Sequence, residues 1–145
     1  QVIHVAPGAQ GGPVREAYGR KGARAVVVDF VADMGALYSA ADLVVSRAGA
    51  MAIAELAAFG VPSVLVPIAR SSGDHQRENA RAAAKSGGAL LVEEREGFPR
   101  RLGSILDRLV EGDSLFDVMK MNLKTLARPD AAGAILEDLG RLLKR

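Results

Sequence analysis

Five short runs of nearly continuous Val, Ile, Leu and Ala constrain this chain more than any other feature: residues 2–6, 25–30, 43–46, 63–68 and 89–93. A strand wetted on one face alternates apolar and polar side chains, whereas a strand covered on both faces does not need to. These five therefore read as buried strands of a parallel sheet. Stretches of helical composition separate them, at residues 13–20, 33–40, 50–59 and 74–86. Strand–helix alternation implies βαβ crossovers, and hence an α/β fold with a Rossmann-like, doubly wound parallel sheet of about five strands.

Beyond Glu93 the pattern changes. Leu102, Ile105, Leu106, Leu109 and Val110 follow the spacing of an amphipathic helix, and Gly112-Asp113-Ser114 breaks it. Phe116, Met119, Leu123 and Leu126 mark a second helix ending near Arg128-Pro129. Asp130 is placed to cap a third, which carries Ile135, Leu136, Leu139, Leu142 and Leu143. With no internal repeat or linker, residues 1–145 read as one domain with a helical tail.

Composition narrows the function classes. A chain of 145 residues that is 49% hydrophobic and 25% charged has the balance of a globular domain. The absence of cysteine excludes thiol nucleophiles, Cys-ligated zinc or iron–sulfur clusters and a disulfide scaffold. A net charge of +2 is spread along the chain, aromatics are 4% and tryptophan is absent, which argues against a nucleic-acid surface. No apolar run approaches the ~20 residues of a bilayer span, and no signal segment opens the chain. The chain starts inside a strand-like run at Gln1 rather than at Met, and so reads as a fragment.

In open α/β sheets ligands bind beyond the carboxyl ends of strands, where loops enter helix N-termini. Four such loops are readable: residues 6–12, 29–34, 46–50 and 68–76. The third runs through Arg47 and Gly49 into Ala50, Met51 and Ala52, a stretch where small residues would let a ligand approach the backbone and free N–H groups could hold an anion or a sugar hydroxyl. Glu55, one turn along, could accept two hydrogen bonds from vicinal hydroxyls, or be a solvated glutamate favoured by the helix dipole. In the fourth, Asp74 reads as an N-cap, and Gln76 and Asn79 share a helical face as amides suited to sugar hydroxyls; an ordinary capped helix has the same pattern. His75 is a possible general base or simply solvated. His4 reads as a core or edge histidine. Neither G-x-G-x-x-G, a Walker loop nor G-x-S-x-G occurs, and two histidines without cysteine make a zinc site implausible.

Residues 29–34 (DFVADM), 41–50 (ADLVVSRAGA), 55–62 (ELAAFGVP) and 74–80 (DHQRENA) form an ordered string. It resembles the C-terminal domain of the MurG family of peptidoglycan N-acetylglucosaminyltransferases, most densely from Phe30 to Ala80. The resemblance implies the donor-binding half of a two-domain glycosyltransferase of the GT-B type. Phe30 and Val31 then match the loop that reads uracil, and Glu55 the acid on the ribose hydroxyls. Gly49, Ala50, Met51 and Ala52 match the helix start at the sugar and diphosphate, His75, Gln76 and Asn79 the positions near N-acetylglucosamine, and Arg47 an arginine beside the nucleotide or a brace for its loop. Ala52 stands where the family carries a hydroxyl residue, which leaves a backbone contact there.

The resemblance further implies UDP-N-acetylglucosamine as donor, and a lipid-linked muramoyl-pentapeptide as acceptor through a second domain that also supplies the general base. It implies no cofactor or metal, no nucleic acid, and a peripheral place on the cytoplasmic face of the membrane. It places the family's first strand and Gly-rich phosphate loop before Gln1, so these residues alone are expected to be inactive. Another UDP-sugar transferase, a UDP-N-acetylglucosamine 2-epimerase, or a non-catalytic donor-binding subunit would share the nucleotide grip.

Overall fold

The computed structural model describes residues 1–69 and 74–143, apart from the side chain of Leu109. The chain divides into two compact units, Gln1–Leu37 and Tyr38–Arg145.

In the first unit β1 (Val2–Val5) runs parallel to β2 (Ala25–Val28), with Val2 opposite Ala25 and Val5 opposite Val28. A 3₁₀ turn at Gly8–Gln10 and helix α1 (Gly11–Arg20) form the crossover. Gly11 is buried, and a Cβ there would lie 3.2 Å from the Ala6 carbonyl oxygen. His4 Nδ1 and the Tyr18 hydroxyl share a 3.1 Å hydrogen bond, which makes His4 a half-buried structural residue. Contrary to the expectation of buried strands, Val2, Ile3, Val5 and Val26 are exposed. A two-stranded ladder with one helix on it has too little cover for both faces.

Helix α2 (Met34–Ala40) starts after Asp33, whose Oδ1 accepts the Ala36 N–H at 2.8 Å, an N-terminal cap.

In the second unit β3 (Val44–Ser46), β4 (Ser63–Leu65) and β5 (Ala89–Leu91) are parallel in the order β3-β4-β5, with Val45 beside Val64 and Val64 beside Leu90. Helices α3 (Ala50–Phe59) and α4 (His75–Lys85) connect them. The central strand β4 is wholly buried, Ser63 included. Val64, Val66 and Val92 form one cluster, packed by Leu43, Leu90 and residues of α5 (Phe98–Val110). Helix α3 buries Leu56 and Ala57, and α6 (Leu115–Lys124) buries Met119 and Leu123. Gly60 ends α3 at φ 64°, where its N–H reaches the Ala57 carbonyl and that of Val61 the Leu56 carbonyl. Gly88 admits α6 closely: a Cβ on it would lie 2.6 Å from Leu123 Cα.

The five strands and the helical tail stand where the sequence places them. The parallel array is split into sheets of two and three strands rather than one, because among the described residues no strand bonds to members of both. Asp130 occupies the N-cap of α7 (Ala131–Leu142) without a side-chain capping bond, and for α6 it is Asp113 that accepts the Leu115 N–H, at 3.1 Å. Helix α7 buries none of its residues. No helix among the described residues is long and apolar enough to cross a membrane.

Candidate functional site

The carboxyl ends of β3, β4 and β5 lie side by side. The ladder runs one step past the strands, with the Val66 N–H on the Ser46 carbonyl at 2.8 Å and the Val92 N–H on the Leu65 carbonyl at 3.0 Å. The loop from Ser46 then turns into α3 around Ala48, which is fully buried. Gly49 is the N-cap, in extended conformation and with no side chain to offer. The Ile53 N–H bonds the Gly49 carbonyl at 3.0 Å, so the amides of Ala50, Met51 and Ala52 precede the first helical bond and project from the helix end. Ala50 and Met51 are exposed there, and Gly49 and Ala52 half-buried. An uncapped N-terminus with small residues is suited to an anion.

The polar side chains named from the sequence are engaged on the loops themselves. Asn79 Nδ2 donates to the Ala48 carbonyl at 3.3 Å, and the Ile68 N–H donates to Gln76 Oε1 at 3.1 Å. Arg47 grips Glu94 with both terminal nitrogens, at 2.7 and 3.2 Å, and reaches the Val66 carbonyl at 3.3 Å. The hydrogen bond from Arg47 holds the Glu94 carboxyl below the usual range, with burial opposing it and the guanidinium charge adding to it. Asp74 does not cap α4: it sits at φ 54° and pairs with Arg77 at 2.8 Å, because an arginine at i+3 captures its carboxylate. Arg77 also pairs with Glu93 at 2.9 Å, and Arg95 closes on the same carboxylate. His75 is exposed at the start of α4. Residues 70–73 of the fourth loop lie outside the described residues.

Glu55 departs from a solvated helix-surface glutamate. It is half-buried, and the Tyr38 hydroxyl donates to its Oε2 at 3.0 Å. Tyr38 is only 7% exposed and packs against Phe59, with ring centroids 5.7 Å apart. Burial, then the hydrogen bond and charge of Glu55, push the phenol up to about 12. Phe30, 79% exposed, and Val31, half-buried, follow β2 in the first unit.

Between α3 and α4 an open groove of about 260 Å³ is walled by Ala54, Ala57, Ala82 and Ala83 and meets the polar cluster at Ala50 and Asn79. Among the described residues no three His, Asp or Glu side chains are grouped to hold a metal ion. Five residues of the polar network, Tyr38, Arg77, Glu93, Glu94 and Arg95, were not singled out from the sequence. Glu94 lies on the loop after β5, which the same strand-end rule would have included. For Tyr38 no local signal exists.

A spinosyn forosaminyltransferase, SpnP, shares the fold, with a TM-score of 0.68 over 99% of this chain and 44% of its own at 11% identity. Acinetobacter baumannii MurG superposes with a TM-score of 0.87 and 28% identity, over 96% of this chain and 42% of that one. Two UDP-N-acetylglucosamine--N-acetylmuramyl-(pentapeptide) pyrophosphoryl-undecaprenol N-acetylglucosamine transferases are similar in sequence. That of Xanthomonas axonopodis pv. citri (strain 306) is 44% identical over 83% of this chain and 28% of its own length. That of Azoarcus sp. (strain BH72) is 42% identical over 93% and 37%. The chain thus spans about a third of the length of these relatives. Residues 1–135 match the model of the glycosyltransferase family 28 C-terminal domain, and the chain belongs to that family.

Proposed function

We propose that this chain is the donor-binding half of a glycosyltransferase that moves N-acetylglucosamine from UDP-N-acetylglucosamine to a lipid-linked muramoyl-pentapeptide in peptidoglycan synthesis. The observation that carries the reading is the pairing, on α3, of an uncapped N-terminus with a fixed carboxylate, Glu55, one turn along. A nucleoside diphosphate asks for both: N–H groups for the diphosphate and an acceptor for the ribose diol. The names of the bacterial relatives supply the sugar and the acceptor.

The reaction is an inverting displacement. An acceptor hydroxyl attacks the anomeric carbon, the bond from that carbon to the diphosphate oxygen breaks, and UDP departs with the electron pair. The hydroxyl proton goes to a base on another part of the protein. The amides of Ala50, Met51 and Ala52 and the helix dipole are already oriented toward the charge that grows on the diphosphate, with little reorganisation left to the moment of reaction. No metal is assigned to this task. His75, Gln76 and Asn79 face the sugar from the start of α4, and Arg47 flanks the nucleotide. The lipid-linked acceptor places the protein peripherally on the cytoplasmic face of the membrane.

Calorimetry on the full-length protein tests the reading. Glu55→Ala should weaken UDP binding roughly ten- to a hundredfold, the loss of a charge-assisted hydrogen-bond partner. A panel of UDP-sugars should select N-acetylglucosamine. Unchanged UDP affinity in Glu55→Ala would overturn the assignment.

A further inference from the structure

We infer that Tyr38 is a positioning residue for Glu55, orienting its carboxylate for a ribose diol and so helping the site distinguish ribonucleotides from nucleotides that lack the diol. The inference rests on the reading of Glu55 as the ribose-binding acid.

A glutamate side chain has three rotatable bonds, and ordering it on ligand binding costs affinity. Glu55 is ordered beforehand. The Tyr38 hydroxyl, 3.0 Å from Oε2, comes from a residue 17 positions earlier in the chain, so the bond is tertiary rather than a helix neighbour contact. The donor is itself fixed: Tyr38 is buried, and its ring lies against Phe59 at an interplanar angle of 41°. A phenol is protonated, and therefore able to donate, throughout the neutral range.

The bond also leaves the right capacity open. An ionised carboxylate has about four acceptor positions, and Tyr38 occupies one of them on Oε2. Among the described residues no further hydrogen bond is made to Oε1 or to the second lone pair of Oε2, which leaves both for two hydroxyl donors. A vicinal diol supplies two such donors from adjacent carbons, whereas a nucleotide without ribose hydroxyls supplies neither. Tyr38 therefore contributes to affinity only for ligands that use Glu55.

That selectivity separates positioning from simple packing. Tyr38→Phe keeps the ring against Phe59 and removes only the donor. In the full-length protein, calorimetry with UDP and with 2′,3′-dideoxy-UDP should show UDP binding weakened about three- to tenfold, the range of one net hydrogen bond, and dideoxy-UDP binding unchanged. The ratio of the two affinities should shrink accordingly, a readout independent of the folded fraction. In a Glu55→Ala background, adding Tyr38→Phe should cost no further UDP affinity. Equal weakening toward both ligands, no change toward UDP, or an additive loss in the double variant would overturn the positioning role. Should Glu55→Ala alone leave UDP binding intact, the ribose reading itself fails and the inference with it; a Glu55→Ala loss without a Tyr38→Phe loss sinks the inference only.

Discussion

Glu55 marks Tyr38 in titration as well as in geometry. In a Tyr18→Phe form of residues 1–145 the one remaining phenol is Tyr38, and its tyrosinate absorbance should rise with a midpoint of about 12 rather than 10.0. Adding Glu55→Ala removes the hydrogen bond and the charge but leaves burial, so the midpoint should fall and remain above 10.0. A midpoint indifferent to Glu55 would contradict the pairing. The folded state holds this proton more tightly than the unfolded chain, so the associated stability is complete below pH 10 and is lost as pH rises through about 12. The Arg47–Glu94 pair has the opposite sign: with the carboxyl lowered, its contribution is present above the ordinary carboxylate range and disappears as pH falls through the depressed value. Glu55 was legible in the sequence because its position in α3 follows from local periodicity. Its partner was not, since a contact across 17 residues leaves no trace in spacing.

Among the elements, strand and helix identities were legible because apolar runs and turn residues are local signals. Capping was legible only as residue type. Asp33 caps α2, whereas Asp74 is drawn off by Arg77 and Asp113 serves α6 from one position before the geometric N-cap, Ser114. Competition for a carboxylate by a nearby arginine or amide is decided in three dimensions. The contact of α6 at Gly88 is equally invisible in sequence, and it gives a sharp contrast between two glycines. Gly88→Ala should destabilise the protein by about 1–3 kcal/mol in chemical denaturation, because the new methyl meets the Leu123 backbone. Gly103→Ala, inside α5 with nothing within 4 Å, should stabilise by up to about 1 kcal/mol through helix propensity. Equal effects at the two positions would refute the close approach.

For the whole molecule, burial is uneven in a way that composition does not reveal. The apolar run of β4 lies under cover on every residue, while the equally apolar β1 is mostly exposed. Protection should follow burial. Amide exchange followed by mass spectrometry should be slowest through β4 and the Leu56–Ala57 turn of α3, and fast in β1 and α7; uniform protection across the five strands would contradict this gradient. The sequence was readable as to which runs become strands, but not as to how much cover each receives, because cover depends on what packs from elsewhere in the chain. The hydrogen bonds of Gln76 and Asn79 to loop backbone have a last consequence. Each amide spends one hydrogen-bonding position on that backbone, so in the proposed role it would meet a sugar hydroxyl with its remaining donors and acceptors already oriented. On that proposal, loss of either amide slackens the loops and weakens the ligand together, and an activity assay alone would merge two effects that a melting curve beside a binding isotherm keeps apart.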